Sequence, residues 1–285
     1  MLPASQRFAL FAALAFSGLS AAAEDTTQST LIDQGWKQDA RIDADIGFPP
    51  TVLLTGWAGV SRRFQWLPLN LLGQEAQPYT YSYVRPHVRY VTNYRLNQLS
   101  PRLDFFPVSF VGGTLGYVAS HSDLNDLESF DVWSGYNCDL ISCQGWNHTL
   151  FLEGKLKWAL PQWALAGTFF ARRDWISTNA TKLTTFDPES ALPFNSRGDH
   201  SRHFWILIGT NALEQHFFGV RARYLEWVRS DAHRYDWAAL YTYSAWKPWV
   251  LGGEARWVVR NDRFDFPSIT LRATYFFGES PEPEN

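Results

Sequence analysis

The chain has 285 residues, 46% hydrophobic and 16% aromatic, with 14 Trp, one Met and a formal net charge of −3. A slightly acidic chain lacks the basic footprint of a nucleic-acid binder. The length suits one all-β domain, and the aromatic content favours strands.

Arg7 is the only early charge; Phe8 to Leu19 is apolar, and Ser20-Ala21-Ala22-Ala23 follows. Charged start, short apolar core and small-residue exit predict a secretory signal peptide over residues 1–23. The run is too short to span a bilayer, and no later segment approaches spanning length. A membrane-crossing chain would therefore have to be a closed β-barrel. Residues 24–50 are polar and acidic without clear alternation, and read as an N-terminal periplasmic lead-in that Pro49-Pro50 ends.

The predicted barrel runs from 51 to 278, with a short tail at 279–285. Val52 to Val60 is the first strand, and the stretch to Pro78 a loop. In Thr80 to Arg95, Val84, Val88, Tyr90 and Tyr94 oppose Arg85, His87, Arg89, Asn93 and Arg95, with a bulge or weakly paired site at Pro86. Leu96 to Arg102, holding Pro101, reads as a turn; Phe105 to Val118 reads as one strand kinked at Gly112-Gly113. Ala119 to Asn147 is a long polar loop carrying Cys138 and Cys143, the only cysteines, which predict a disulfide behind a signal peptide.

From His148 to Trp158, Leu150, Leu152, Leu156 and Trp158 oppose Thr149, Glu153, Lys155 and Lys157. A turn at Pro161 leads to a strand with Trp163, Leu165, Phe169 and Ala171 on one side and Thr168 and Arg172 on the other. A second long loop covers Trp175 to Ser201. Arg202 to Asn211 is a strand whose faces the pattern leaves undecided. Three more strands follow, with Arg221 and Arg223, then Asp236, then Glu254, Arg256 and Arg260 on their polar rows.

The last strand, Ser268 to Phe277, alternates most cleanly: Ile269, Leu271, Ala273, Tyr275 and Phe277 oppose Ser268, Thr270, Arg272 and Thr274. The reading gives about ten strands, or twelve if Arg41 to Phe48 and part of a loop pair into the sheet. Turns at Pro101, Pro161, Leu213 and Pro248 fall at one end and the two longest loops at the other, which is the plan of a transmembrane barrel. The chain resembles a bacterial outer-membrane β-barrel protein. That resemblance implies the cell outer membrane, a monomer, outer-membrane lipids and the barrel-assembly machinery as partners, and Tyr275 and Phe277 as the assembly signal.

The polar rows gather Arg85, Arg89, Arg95, Lys155, Lys157, Arg172, Arg221, Arg223, Arg256, Arg260 and Arg272 against Glu153, Asp236 and Glu254. Facing a narrow lumen, they suit either a structural barrel filled by paired side chains or a narrow, anion-preferring pore for small anionic solutes. A hydrolase, protease or lipid-modifying, would use the extracellular rim. There His121-Ser122-Asp123, Asp199-His200 and Asp231-Ala232-His233 could pair a base with an orienting carboxylate, though the spacing is nonspecific. A secreted, soluble β-barrel binding small apolar ligands would need its apolar rows inside. Asp123 to Asp131 lacks the glycine and terminal glutamate of a calcium loop, and no cofactor or metal is expected.

Overall fold

The computed structural model describes residues 34–48, 51–64, 82–93, 95–124, 138–139, 141–160, 165–187, 190–213, 215–244, 248–261, 263–264 and 267–277. The signal peptide, the C-terminal tail, the loop expected before Pro78, the turn at Pro161 and most of the acidic stretch after Asp123 lie outside them.

In chain order the strands are β1 (Gln34–Phe48), β2 (Thr51–Phe64), β3 (Ser82–Asn93), β4 (Leu96–Val108), β5 (Val111–Asp123), β6 (Gln144–Leu160) and β7 (Leu165–Thr178). There follow β8 (Thr184–Asp187), β9 (Leu192–Asn195), β10 (Asp199–Leu213), β11 (His216–Trp227), β12 (Ala232–Tyr243), β13 (Trp249–Arg260), β14 (Arg263–Phe264) and β15 (Ser268–Phe277). β8 and β9 form a separate hairpin, and β14 pairs only with β13. The other twelve pair antiparallel in a ring, closed where β1 meets β15 from Ala40↔Phe277 to Phe48↔Ile269.

The count is twelve, the alternative to about ten, and Arg41 to Phe48 does pair into the sheet. One extra strand is β1, cut from the segment read as a periplasmic lead-in. Its outward row, Ala40, Ile42, Ala44 and Ile46, is half alanine, which weakens the apolar beat against Asp39, Arg41, Asp43 and Asp45. The other comes from splitting Leu96 to Val118 into β4 and β5 across Ser109-Phe110, where the register shifts between Phe105 and Val108. Pro101 is no turn: it lies inside β4 opposite Val88. The β4–β5 register passes from Leu99↔Ala119 to Arg102↔Gly116, so the break falls at Pro101, whose nitrogen carries no hydrogen to donate. Pro86 marks the weakly paired site expected there: β2–β3 pairing lapses between Gly59↔His87 and Arg62↔Val84 while the register stays unchanged.

Antiparallel order places both ends of the barrel chain, β1's start and β15's finish, at one end. Residues 109–110, 161–164, 214–215 and 244–248 connect strands there, as do 65–81. The loops at 124–143 and 179–198 both leave the opposite, outer end, together with the shorter connections at 49–50, 94–95, 228–231 and 261–267.

Alternation assigns two unlike faces. Ile42, Leu54, Leu99, Leu115, Leu152, Ile206, Val220 and Leu271 are exposed on the outside, from β1 around to β15. Arg89, Asp104, Glu153, Arg172, Arg223, Asp236 and Arg260 are buried on the inside. Aromatic rings edge the apolar belt. Trp249 and Tyr275 (ring centroids 4.9 Å apart), Phe277 and Tyr241 sit toward the termini; Tyr117, Trp146 and Trp175 sit toward the outer end. Such girdles hold amphipathic rings at the two membrane–water interfaces.

Candidate functional site

The inner wall of β11–β13 carries the densest charge. Arg221 and Arg223 alternate on β11, Arg234 and Asp236 on β12, and Glu254, Arg256 and Arg260 on β13, because period two sends every second residue inward. Asp236 is a hub: Arg223 Nη2 lies 2.6 Å from it, Arg234 Nε 3.1 Å and Arg221 Nη2 3.6 Å. Glu254 accepts a 2.7 Å hydrogen bond from Arg221 and lies 4.0 Å from Arg256. Four guanidinium groups thus share two carboxylates. Arg221 Nε, Arg223 Nη1 and Arg234 Nη2 are buried without an acceptor.

The wall from β1 to β7 is organised differently. Trp57 on β2 lies under the guanidinium groups of Arg41 (4.7 Å), Arg89 (5.4 Å) and Arg102 (5.5 Å). Phe151 on β6 takes Arg102 at 5.0 Å and Arg172 at 4.0 Å. Cation–π contact adds to ion pairing here, since Arg41 also lies 3.5 Å from Asp43 and Arg172 lies 2.6 Å from Asp174. Gly116 makes room for this: it pairs with Phe151, and a Cβ there would stand 2.3 Å from the ring. Nearer the termini, Lys155 bonds Glu153 (2.9 Å) and Thr114 (2.6 Å) and lies 3.5 Å from Asp104. Asp174 accepts from Arg172 (2.6 Å) and Ser201 (2.8 Å), with His203 Nε2 at 2.6 Å. At the closing seam, Arg272 on β15 pairs with Asp45 on β1 through two nitrogens, Nη2 at 3.1 Å and Nε. Arg85 on β3 reaches across β2 to Asp39.

The outer mouth is partly roofed by the β8–β9 hairpin. Leu192 and Phe194 are fully buried against Ile176, Leu225, Trp227 and Ala232, inward residues of β7, β11 and β12. Ser190 at the tip accepts from Arg234 Nη1 through its carbonyl (2.8 Å) and from Trp227 Nε1 through its hydroxyl (3.1 Å). Phe186 O accepts from Asn147 on β6 (3.4 Å). The hairpin therefore lies over the inner wall between β6 and β12. Its base is tied to the Cys138–Cys143 disulfide loop. Lys182 Nζ donates to the carbonyls of Cys138 (2.7 Å), Asp139 (2.8 Å) and Ile141 (3.3 Å), and Ser142 pairs with Thr185.

Charged groups inside and an apolar belt outside are the reverse of a soluble barrel, which would bury its apolar rows. This corrects the alternative of a secreted carrier of apolar ligands. The chain is a closed antiparallel β-barrel of the membrane-spanning kind, charged inside and apolar outside. No protein-family model and no curated protein matches it. Among solved structures, it is similar to a loop-deletion mutant of OmpT, an outer membrane protein of Vibrio cholerae (6% identity, 85% of this chain and 99% of that one, TM-score 0.42). It is also similar to the NanC porin (9%, 85% and 100%, 0.42) and to Omp33 of Acinetobacter baumannii (12%, 85% and 98%, 0.39). The architecture itself rests on the closed strand register.

The lumen residues expected from sequence, Arg85, Arg89, Glu153, Lys155, Arg221, Arg223, Glu254, Arg256 and Arg272, all sit on inward positions of barrel strands. Arg95 lies instead in the turn before β4. The barrel adds inward groups that sequence reading missed: Arg41, Asp43, Asp45, Arg102, Asp104, Asp174, His203 and Arg234. The charged row of β1, Asp39, Arg41, Asp43 and Asp45, was the available signal for the first three, although the alanines opposite weaken the beat.

The rim pairs take separate places. His121 lies on the outward row of β5, its ring 4.9 Å from Trp146, and Asp123 is exposed at that strand's end. His200 and His233 fall on outward positions, His233 edge-on to Tyr235 at 5.7 Å. Asp199 is engaged structurally, accepting from the backbone of Asn195, His200 and Arg229 and from the Ser230 hydroxyl. Asp231 holds a left-handed turn position between β11 and β12 (φ 49°). Among the described residues, no three His, Cys, Asp or Glu side chains gather as metal ligands would.

Proposed function

We propose that this barrel is a narrow, anion-preferring pore. The observation that carries the reading is the sharing of two carboxylates, Asp236 and Glu254, among Arg221, Arg223, Arg234 and Arg256 on one stretch of inner wall. Balanced ion pairing would leave no field along the lumen. An excess of fixed guanidinium raises the local concentration of anions and repels cations. The facing wall adds the guanidinium groups of Arg41, Arg89, Arg102 and Arg172, each packed on the face of Trp57 or Phe151. The solutes proposed are small anions, and the surrounding partners are outer-membrane lipids and the barrel-assembly machinery, which would read Tyr275 and Phe277.

A closed structural barrel is the second reading. It is favoured by the burial of Asp43, Asp104, Thr168 and Asp236, each within 1% of full burial. Charge reversal separates the two. In refolded Arg221→Glu/Arg223→Glu barrels under a potassium chloride gradient, the pore reading expects the reversal potential to move toward cation preference. A conducting variant with unchanged selectivity would contradict it.

A further inference from the structure

The β8–β9 hairpin is bound to the same array that the pore reading assigns to solute. Arg234 gives one N–H to the Ser190 carbonyl and leaves Nη2 buried without an acceptor. Trp227 gives its indole N–H to the Ser190 hydroxyl. The tip thus presents two oxygens to cationic and polar donors on the inner wall, as an oxyanion solute would. The rest of the attachment to the wall carries no charge: Leu192 and Phe194 make apolar contacts, and the Phe186 carbonyl accepts from Asn147. The base is anchored outside the wall by Lys182 and the disulfide loop. Next to Ser190, Ala191 is held at φ 56°, a left-handed conformation that disfavours any residue but glycine. A strained tip on a fixed base is suited to leaving its seat without the loop unfolding.

We infer that the hairpin Thr184–Asn195 is a displaceable cap: the oxygens of Ser190 occupy the Arg234–Trp227 seat and hold the outer mouth closed, and a small oxyanion frees it by taking those donors. The inference rests on the pore reading, since a cap gates only a lumen that conducts. Bilayer recordings of three refolded proteins test it, each checked for folding by its heat-dependent gel shift. They are the full-length protein, a variant with residues 184–195 replaced by a Gly–Ser linker, and Ser190→Ala/Trp227→Phe. The linker variant conducts in larger steps. The double substitution removes one hydrogen bond and raises the open-to-closed ratio about fivefold. Inorganic phosphate on the outer side raises the open fraction of the full-length protein above that in chloride alone. A folded linker variant with unaltered conductance overturns the cap, as does a double variant with an unaltered ratio if the linker variant does not fold. Larger steps without a phosphate effect overturn displacement by oxyanions. Larger steps with a cation-shifted reversal potential leave the cap standing and sink the anion reading. Unaltered steps with an anion-shifted potential do the opposite. Silence in all three folded proteins overturns the cap as what closes the lumen.

Discussion

At the scale of single residues, the inward charges differ in how they are stabilised. Arg272 and Asp45 close the ring from opposite ends of the chain, with side chains 11% and 3% exposed. Removing Asp45 takes the close carboxylate from a buried guanidinium, so Asp45→Ala should cost about 3–5 kcal/mol of barrel stability. Asp45→Ala/Arg272→Ala should cost less than that single change. Urea unfolding in lipid vesicles measures both, and a double variant weaker than either single one would show that the pair does not hold the seam. Sequence reading reached Arg272 because the last strand alternates so regularly. It missed Asp45 because a strand's partner across a closed ring is set by the shear of the whole barrel, which no local pattern encodes.

At the scale of elements, period-two alternation was legible wherever the outward row holds large apolar residues, as in β6 and β15. It faded where alanine fills that row, as in β1, and where proline lies within a strand, as at Pro101 in β4. Two substitutions probe the two faces. Leu152, near the middle of β6 and 55% exposed, points into the apolar belt. Leu152→Arg should destabilise by about 2–4 kcal/mol in bilayers, since a charge at mid-depth meets lipid; an unaltered unfolding midpoint would contradict the outward assignment. Gly116 faces inward beneath Phe151. Gly116→Val forces the ring off the strand and should cost about 1–3 kcal/mol through overpacking. It should also disturb Arg102 and Arg172, which stack on that ring. The hairpin β8–β9 was hidden inside a stretch read only as a polar loop. Its short strands gain their burial from the inner wall, a tertiary contact that local composition does not announce.

At the scale of the whole molecule, closure and the inverted polarity explain each other. A ring of strands leaves no unpaired edge, so the backbone is satisfied in lipid, and the apolar rows are free to face outward. The outside then places little demand for charge, and the ionic groups of the strands collect in the lumen. Sequence carried this plan almost completely, apart from strand count, because it is written in repeated rows. The balance of charge inside was only half legible: the arginine rows were visible, whereas Asp104 and Asp174 fall between the assigned segments and the infolded tip at Ser190 lies in a stretch read as a loop. The proposed pore depends on that balance. The most direct measurement is the reversal potential of the refolded full-length protein in a planar bilayer under a potassium chloride gradient. The basic lumen predicts discrete conductance steps with a reversal potential on the chloride side. Steps with a potential on the potassium side would contradict it.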